Sequence, residues 1–232
     1  MDIASTTALV TGANRGLGRA LAEELLARGA TVYAGARNPD TVDLPGAKAI
    51  ALDITDPASV AAAVEATGDV TLLVNNAGVD SRLDLLEGDL AAIEAELATN
   101  FLGPLAVTRA FVPQIEANGG GSVLNVLSVL AWVSFPGTGA YCAAKSAGWS
   151  MTNALRVQLA PRSIRVAGLY VGYMDTDMAA DVRAPKSAPA DVARLAVDGI
   201  AAGDHEIVAD DVSRNVRAGL SADVTALYGQ LR

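Results

Sequence analysis

The chain has 232 residues, of which 51% are hydrophobic, and its net charge is −9 at pH 7. This length suffices for one domain with a sheet covered on both faces, whereas the acidic balance argues against nucleic acids and anionic membranes as partners. The apolar residues come in short runs, so we expect no bilayer-spanning stretch and no signal peptide. The single cysteine, Cys142, cannot form an internal disulfide, which favours a reducing, cytoplasmic compartment.

The first predicted unit is a strand, a glycine turn and a helix. Ala8–Val10 is a short apolar run, residues 11–18 contain three glycines, and leucines recur behind them at helical spacing. Glycines let the backbone approach an anion, and the start of a helix presents free N–H groups to it. The unit therefore predicts a phosphate site of a bound dinucleotide. Its candidate residues are Gly12, Asn14, Arg15, Gly16, Leu17 and Gly18.

The end of the second predicted strand, Thr31–Ala34, distinguishes between the two dinucleotides. Ala36 stands where an acidic residue commonly holds the ribose of NAD(H), and Arg37 follows where an arginine accommodates the 2′-phosphate of NADP(H). Arg15 could close on the same phosphate from the other side. The alternative is that both arginines are solvated surface charges. We expect NADP(H) as the preferred cofactor and leave NAD(H) open.

A third strand, Ala49–Leu52, is followed by Asp53 and Ile54, which we place beside the cofactor. Asp53 at the carboxyl end of this strand could accept a hydrogen bond from an adenine amino group, or it could stabilise the turn. The next helix opens with a cap and a proline, Asp56-Pro57, and extends to about residue 67.

The fourth predicted strand, Val70–Val74, ends in a tight turn whose small residues let a ribose lie against the backbone. The candidate residues of this turn are Asn76, Ala77 and Gly78. A long helix is then predicted from Asp89 toward Ile115, with Asn100 in its middle. Asn100 either holds a water molecule or bonds to the backbone.

The fifth predicted strand, Gly121–Leu127, leads to a serine and then to a tyrosine–lysine pair. Ser128 lies just past the strand, where open α/β sheets bind ligands. Tyr141 and Lys145 are four residues apart in a helix predicted over about 139–160, so they share one face. An adjacent ammonium favours the phenolate and lowers the pKa of a tyrosine. The pair is therefore predicted to donate a proton.

Large apolar side chains occur in the loop after Ser128 and after a sixth predicted strand, Ile164–Leu169. Such side chains in loops more often line a pocket or an interface than face water. We expect them to form a mainly apolar pocket. They are Trp132, Phe135, Tyr170, Tyr173 and Met174.

The segment at residues 177–190 is irregular and contains two prolines, so we expect a lid over the site. A helix over about 190–201, a last strand at His205–Val208 and a polar tail with a weak helical pattern follow. His205 is far along the chain from the other candidates and is expected to be structural or exposed. No group of His, Cys and carboxylate residues has metal-ligand spacing, so we expect no metal.

Several of these motifs stand in register over nearly the whole chain. Together they resemble the short-chain dehydrogenase/reductase family, in its NADP-preferring carbonyl-reductase type. The resemblance implies an α/β fold: a single doubly wound Rossmann-type domain over residues 1–232, with a seven-stranded parallel sheet and helices on both faces. The motifs are the turn at residues 11–18, Ala36-Arg37, Asn75-Asn76-Ala77-Gly78, and the tetrad Asn100, Ser128, Tyr141 and Lys145.

The resemblance also implies roles for these residues in reversible carbonyl reduction. In such a reaction Ser128 hydrogen-bonds the substrate oxygen and Tyr141 protonates it, while Lys145 holds the nicotinamide ribose and Asn100 positions a water molecule. One departure concerns the loop after the sixth strand, where Val171 precedes Gly172 and the family usually has proline. Gly172 and Thr176 remain candidate nicotinamide-binding residues.

The expected activity is thus NADPH-dependent reduction of a ketone or aldehyde to an alcohol. A β-ketoacyl-carrier-protein reductase is the nearest alternative, although the negative net charge disfavours docking an acidic carrier. A non-catalytic NADP-sensing regulator would have no need of Tyr141 and Lys145 in register, and a sugar-nucleotide epimerase is disfavoured by the length of the chain. The resemblance implies a homodimer or homotetramer.

Overall fold

The computed structural model describes residues 1–228, and its centre is a parallel sheet. The described strands are β1 (Thr7–Thr11), β2 (Thr31–Ala36), β3 (Lys48–Ala51), β4 (Leu72–Asn75), β5 (Gly121–Val126), β6 (Ile164–Tyr170) and β7 (Glu206–Val208). Seven strands lie in the order β3-β2-β1-β4-β5-β6-β7, and every pair is parallel. The predicted seven-stranded parallel sheet is confirmed.

The helices lie on both faces of this sheet. They are α1 (Gly16–Ala27), α2 (Pro57–Ala66), α3 (Leu90–Leu97), α4 (Gly103–Ala117), α5 (Gly139–Leu159), α6 (Pro189–Ala202), α7 (Asp211–Gly219) and α8 (Val224–Leu227). Buried residues of α1 and α6 form one core layer with the sheet, and those of α2, α4 and α5 form the other. The doubly wound Rossmann-type arrangement is therefore confirmed.

The central strands are mainly apolar because they are covered on both faces, whereas the edge strand β3 is largely exposed. In β1, the side chains of Ala8 and Val10 enter one core layer, while Leu9 enters the other. Full burial removes the polar alternation that a half-exposed strand would show. Because the chain moves outward from β1 to β3 and then returns to β4, the sheet has a switch point between β1 and β4. Ligands bind at the carboxyl ends of the strands there.

The predicted long helix is interrupted in the structure. It consists of α3, a π-helical segment at Ala98–Leu102 and α4, which has Pro104 near its start. Such single-turn π segments shift the backbone ladder and occur frequently at functional sites. Asn100 lies inside this segment and is buried. The sequence placed the helix correctly but did not reveal its break.

The same stretch corrects the expectation that no segment is long enough to span a bilayer. Within the described residues, Leu90–Ala117 forms 28 helical residues that are sufficiently long and apolar to cross a membrane by those two criteria alone. Phe111 and Ile115 of this stretch are fully buried in the core against the sheet. Their apolar character is accounted for by packing inside the domain.

The carboxyl-terminal part of the chain is more regular than its weak pattern suggested. After β7 it forms α7 and α8, capped by Asp210 and Asp223. Val216 and Leu227 from these helices pack against the loop that follows Ser128. The end of the predicted tail, residues 229–232, lies outside the described residues.

Candidate active site

The glycine turn after β1 leaves the start of α1 open to an anion. Gly12 and Gly16 have φ angles of +65° and +54°, which other residues rarely adopt. No side chain caps the start of α1. The first N–H groups of α1, at Gly16, Leu17 and Gly18, therefore lack an intrahelical partner. Donors of this kind fit the pyrophosphate of a dinucleotide.

A threonine joins the glycine turn to the turn after β4. The Thr11 hydroxyl accepts the backbone N–H groups of Asn76 and Ala77, both at 3.0 Å. In return, the Asn76 side-chain amide donates to the carbonyl oxygens of Thr11 and Gly12 at 2.9 and 3.2 Å. Two motifs that are 65 residues apart thus form one surface at the switch point of the sheet. The glycine-turn motif by itself does not single out Thr11 for this role.

Asn100 and Lys145 meet beside Gly78. The Asn100 amide donates to the Val79 carbonyl oxygen at 2.8 Å, and its oxygen accepts the Val79 N–H at 3.1 Å. A Cβ atom at Gly78 would stand 2.7 Å from the Asn100 Oδ1 atom and 3.7 Å from the Lys145 Nζ atom. Of the two alternatives for Asn100, the structure supports the bond to backbone. The backbone partner of Asn100 is Val79, which lies after β4 and not in the helix that carries Asn100.

Tyr141, Ser128 and Lys145 complete the predicted tetrad at the carboxyl end of β5. The Lys145 Nζ atom donates to the Val126 carbonyl oxygen at 3.0 Å and lies 5.4 Å from the centroid of the Tyr141 ring. The Ser128 hydroxyl is near enough to the Tyr141 phenol to favour its charged form. Ser128 and Lys145 are only 7% and 6% exposed, so this chemistry lies in a largely desolvated place.

Burial dominates the pKa values of this pair. It raises the pKa of Tyr141, and Asp80 raises it further, whereas the Ser128 hydroxyl lowers it. Burial also lowers the pKa of Lys145 to about 8. The expectation that Lys145 brings the Tyr141 pKa below its usual value is wrong for the protein without cofactor. Desolvation disfavours the charged forms of both groups, and it outweighs their mutual attraction.

A buried polar chain fixes the helices that carry the tetrad to the sheet. The Asn75 amide donates to the Thr108 hydroxyl of α4 at 2.9 Å and to the Asn125 oxygen of β5 at 2.8 Å. Asn125 donates in turn to the Thr152 hydroxyl of α5 at 2.9 Å. Fully buried hydrogen bonds of this kind fix one arrangement of the elements. The only sequence signal for this hydrogen-bonded chain is Asn125, an asparagine within the mainly apolar strand β5.

The residues predicted to select the cofactor lie at the ends of β2 and β3. Arg37 is exposed and directly follows β2, within electrostatic range of Asp53. The Asp53 carboxylate accepts the backbone N–H and the hydroxyl of Thr55 at 2.9 and 2.7 Å, so it stabilises the turn. These two bonds lower the pKa of Asp53. The side chain of Ile54 is buried in the core.

The glycine turn also contacts the segment after β6. Thr176 lies beside Gly16, whose Cβ position is 3.4 Å from the Thr176 Cγ2 atom. The Gly172 N–H donates to the Asp210 carboxylate at 2.6 Å, which ties this loop to α7. Asn14 donates to the Thr41 hydroxyl at 3.2 Å. Thr176 therefore reaches the cofactor rim despite the Val-Gly departure from the family pattern.

Among the described residues, three ion pairs involve the predicted lid segment: Lys186 pairs with Asp175 at 3.7 Å, and two further pairs lie at the surface. Arg15 of the glycine turn pairs with Asp177 at 3.1 Å, and Arg82 pairs with Asp181 at 3.4 Å. The four side chains of these two surface pairs are well exposed, so each pair contributes about 1 kcal/mol at most. The segment begins with a short 3₁₀ turn at Asp177–Ala179, and α6 begins at Pro189. Its motion as a lid stays a prediction.

Five side chains were predicted to form one apolar pocket, and this prediction is wrong for Tyr170 and Phe135. Tyr170 is fully buried, and its ring stacks on Trp132 with the centroids 4.2 Å apart. Phe135 lines a cavity of about 340 Å³ against α7 and α8 that no tetrad residue lines. Tyr173 is 48% exposed, and Met174 packs partly into the core layer of α1 and α6. Aromatic composition alone did not separate packing from a pocket wall.

The fold and this geometry define an oxidoreductase of the Rossmann class. A family model described as short chain dehydrogenase matches residues 6–187. The chain is 33% identical over 204 residues to trans-4-hydroxycyclohexanecarboxylate dehydrogenase of Sinomonas cyclohexanicum, covering 78% of this chain and 77% of that protein. It is 35% identical over 192 residues to 3-oxoacyl-[acyl-carrier-protein] reductase FabG of Salmonella typhimurium, covering 77% of each. The chain belongs to the short-chain dehydrogenase/reductase family.

Solved structures agree with this assignment. A short chain dehydrogenase from Burkholderia cenocepacia in complex with NADP superposes with a TM-score of 0.94 at 38% identity, covering 100% of this chain and 99% of that one. A short chain dehydrogenase/reductase from Burkholderia phymatum in complex with NAD has a TM-score of 0.83 at 26% identity, covering 94% and 93%. One of these neighbours is in complex with NADP and the other with NAD. They support a nicotinamide dinucleotide as the cofactor of this chain without establishing which of the two it prefers.

Proposed function

We propose that this protein reduces an apolar ketone or aldehyde to an alcohol with NADPH, reversibly. The observation that carries the proposal is the meeting of Tyr141, Ser128 and Lys145 at one end of β5. This group adjoins the surface formed by the two cofactor turns. A non-catalytic sensor has no need of a proton donor with a buried lysine and serine beside its nucleotide. Family membership supports the reaction class, and the substrate and cofactor preference rest on the residues below.

The chain supplies charge stabilisation and a proton to the reacting carbonyl. When bound, the nicotinamide provides the hydride. Negative charge then gathers on the substrate oxygen, and donors aimed at that position stabilise the transition state more than the ground state. Ser128 donates a hydrogen bond to this oxygen and Tyr141 delivers its proton. The raised pKa of Tyr141 keeps the phenol protonated before hydride transfer but makes it a weaker acid, so the Lys145 ammonium has to stabilise the phenolate as the proton leaves.

Lys145 supports this step from the Gly78 side. Its ammonium lies over the face of the Tyr141 ring and next to the turn on which a ribose would rest. We assign to it the binding of the ribose hydroxyls, which would replace the Val126 carbonyl oxygen as one of its partners. Asn100 holds the segment after Gly78 in place. A water molecule beside the π-helical segment would then link Lys145 to solvent.

The proposed preference for NADP(H) rests on two arginines, Arg37 after β2 and Arg15 in the glycine turn. Arg37 follows β2 where an acidic residue would otherwise repel a 2′-phosphate. Arg15 is a second candidate, and its ion-pair partner among the described residues is the exposed Asp177. An exposed pair of this kind is weak, so exchanging its carboxylate for a phosphate is feasible. Asp53 remains a candidate for the adenine amino group alongside its role in the turn.

Replacing Arg37 by alanine should weaken NADPH binding by about 10- to 100-fold, because one charge-assisted hydrogen bond contributes about 1.5–3 kcal/mol. NADH binding should change little, since NADH has no 2′-phosphate. Fluorescence titration with both cofactors measures the two affinities. Arg109→Ala, which removes an exposed arginine on α4, is the matched control. Equal losses for both cofactors, or wild-type efficiency that is as high with NADH, would contradict the assignment.

Initial rates of NADPH oxidation over a panel of apolar ketones, aldehydes and ketoesters test the proposed reaction. We expect turnover with at least one class and slower turnover with polar analogues. A β-ketoacyl thioester on an acyl carrier protein belongs in the panel, because the chain resembles a reductase of that substrate. Preference for the carrier-linked substrate would favour this second function. An inert panel with tight, ratio-sensitive cofactor binding would favour a sensor.

Two further expectations stay predictions. The family resemblance implies a homodimer or homotetramer, which light scattering at several concentrations would measure. The single cysteine, Cys142, is buried, and a cytoplasmic location remains the prediction drawn from cysteine usage.

A further inference from the structure

A buried carboxyl group lies behind the tetrad, and the mechanism above does not use it. Glu96, on α3, is only 1% exposed. Its Oε1 atom accepts the backbone N–H of Ser81 at 3.3 Å, and its Oε2 atom is buried with no hydrogen-bond partner among the residues that the structure describes. A buried carboxyl with an unsatisfied oxygen is destabilising. Its presence therefore calls for a physical explanation.

The position of Glu96 connects it to the active site. It precedes Asn100 by one helical turn, and both side chains hold the same segment. Asn100 binds Val79 and Glu96 binds Ser81. This segment directly follows Gly78, beside which the Lys145 Nζ atom lies. Two consecutive helical turns thus hold the Val79–Ser81 segment, which follows Gly78 beside Lys145.

The charged groups around Glu96 form a small coupled set. Burial raises the pKa of Glu96, the Ser81 N–H lowers it, Asp80 raises it, and Lys145 lowers it. In the other direction, Glu96 raises the pKa of Lys145, against the burial that lowers it to about 8. It also raises the pKa of Tyr141. The groups that interact with Glu96 therefore come from the Val79–Ser81 segment and from α5.

We propose that Glu96 is a positioning residue for proton transfer that acts through Lys145. Its carboxylate keeps the buried amine in the ammonium form, and its bond to Ser81 holds the wall beside that amine. The ammonium is the form of Lys145 that binds ribose hydroxyls as a donor and stabilises negative charge on Tyr141 after proton donation. The inference rests on the proposed function, because turnover is its first readout.

Glu96→Gln tests this role, because glutamine keeps the size and the acceptor for Ser81 but removes the charge. Without the carboxylate, Lys145 loses its ammonium form at lower pH. We expect the basic limb of kcat for ketone reduction to shift to lower pH by about one unit. At pH values above the shifted limb, kcat of Glu96→Gln should be about tenfold lower than that of the wild type, while the KM for NADPH changes less. Glu96→Asp retains the negative charge, so its basic limb should lie close to that of the wild type.

Glu94→Gln is the matched control, since Glu94 is exposed on the same helix. Its pH profile should superimpose on that of the wild type. A Glu96→Gln profile that also superimposes, with only a lower melting temperature, would reduce Glu96 to a structural role and overturn the proposal. A shifted profile in Glu96→Gln but not in Glu94→Gln supports it.

A second measurement decides the matter if Glu96→Gln fails to fold or the wild type shows no turnover. Carbon-13 NMR of glutamate-labelled wild-type protein should reveal one carboxyl that titrates well above the ordinary value of about 4.3. Its midpoint should respond to Lys145→Met, which removes the neighbouring charge. Ordinary titration of every glutamate would overturn the inference. A coupled titration in a protein inert toward all carbonyls would support the coupling of Glu96 to Lys145 while refuting the proposed reaction.

Discussion

Tyr141→Phe should lower kcat for ketone reduction by about 10²- to 10⁴-fold, the usual contribution of a positioned general acid. The substitution removes the phenol oxygen but retains the ring, which packs beside the buried cluster around Cys142. The attraction between the ring and the Lys145 ammonium also survives, since it requires only the aromatic face. NADPH affinity should therefore remain near that of the wild type, and steady-state kinetics with a fluorescence titration measure both quantities.

Tyr33→Phe is the matched control for this experiment. It removes a phenol oxygen whose hydrogen bond to Asp69 is 3.0 Å long, on a strand outside the tetrad. Its kcat should equal that of the wild type. If Tyr141→Phe retained near-normal kcat on a good ketone, Tyr141 would not be the proton donor, and the roles given to Ser128 and Lys145 would need revision.

The sequence was sufficient for the sheet and for the order of the tetrad, and there are physical reasons for this. Strands covered on both faces are short apolar runs, and the glycine and asparagine turns that end them have few alternatives in their backbone geometry. Because parallel strands end at one edge, Ser128 and the turn at Asn75–Gly78 had to lie together. Motif spacing therefore carried three-dimensional information.

The π-helical segment at Asn100 was beyond sequence reasoning. A shift from i→i+4 to i→i+5 hydrogen bonds changes the backbone ladder without requiring a particular residue type. The helical pattern from Asp89 to Ile115 was read correctly on both sides of it. Glu96 was missed for a related reason: a glutamate in a helix is usually solvated, whereas the packed structure buries this one and gives its carboxylate the Ser81 N–H as a partner.

The pKa of Tyr141 failed as a prediction because it depends on two opposing quantities. Spacing alone gives the attraction between the phenolate and the Lys145 ammonium. The loss of solvation depends on how deeply α5 buries both groups, and this requires the packed structure. A bound cofactor adds ribose hydroxyls to this balance. The pH dependence of the protein with and without NADPH should therefore differ.

Gly18→Ala should destabilise the fold and the cofactor site together. Gly18 lies in α1 with an ordinary helical backbone, where alanine is intrinsically favoured by about 1 kcal/mol. However, a Cβ atom there would overlap the carbonyl oxygen of Gly12 and the side-chain amide of Asn76. Neither can move alone, because the Asn76 amide itself bonds to Gly12. The first turn of α1 must therefore shift away from the glycine turn.

This shift should lower the free energy of unfolding by about 1–3 kcal/mol, as overpacking generally does. It should also weaken NADPH binding by about 10- to 100-fold, because it misdirects the N–H donors at the start of α1. Thermal unfolding and cofactor titration measure the two effects. Gly68→Ala introduces the same methyl group into open space and should change neither. A Gly18→Ala protein that is as stable as the wild type and binds NADPH as tightly would show that α1 does not need this close approach to hold the dinucleotide.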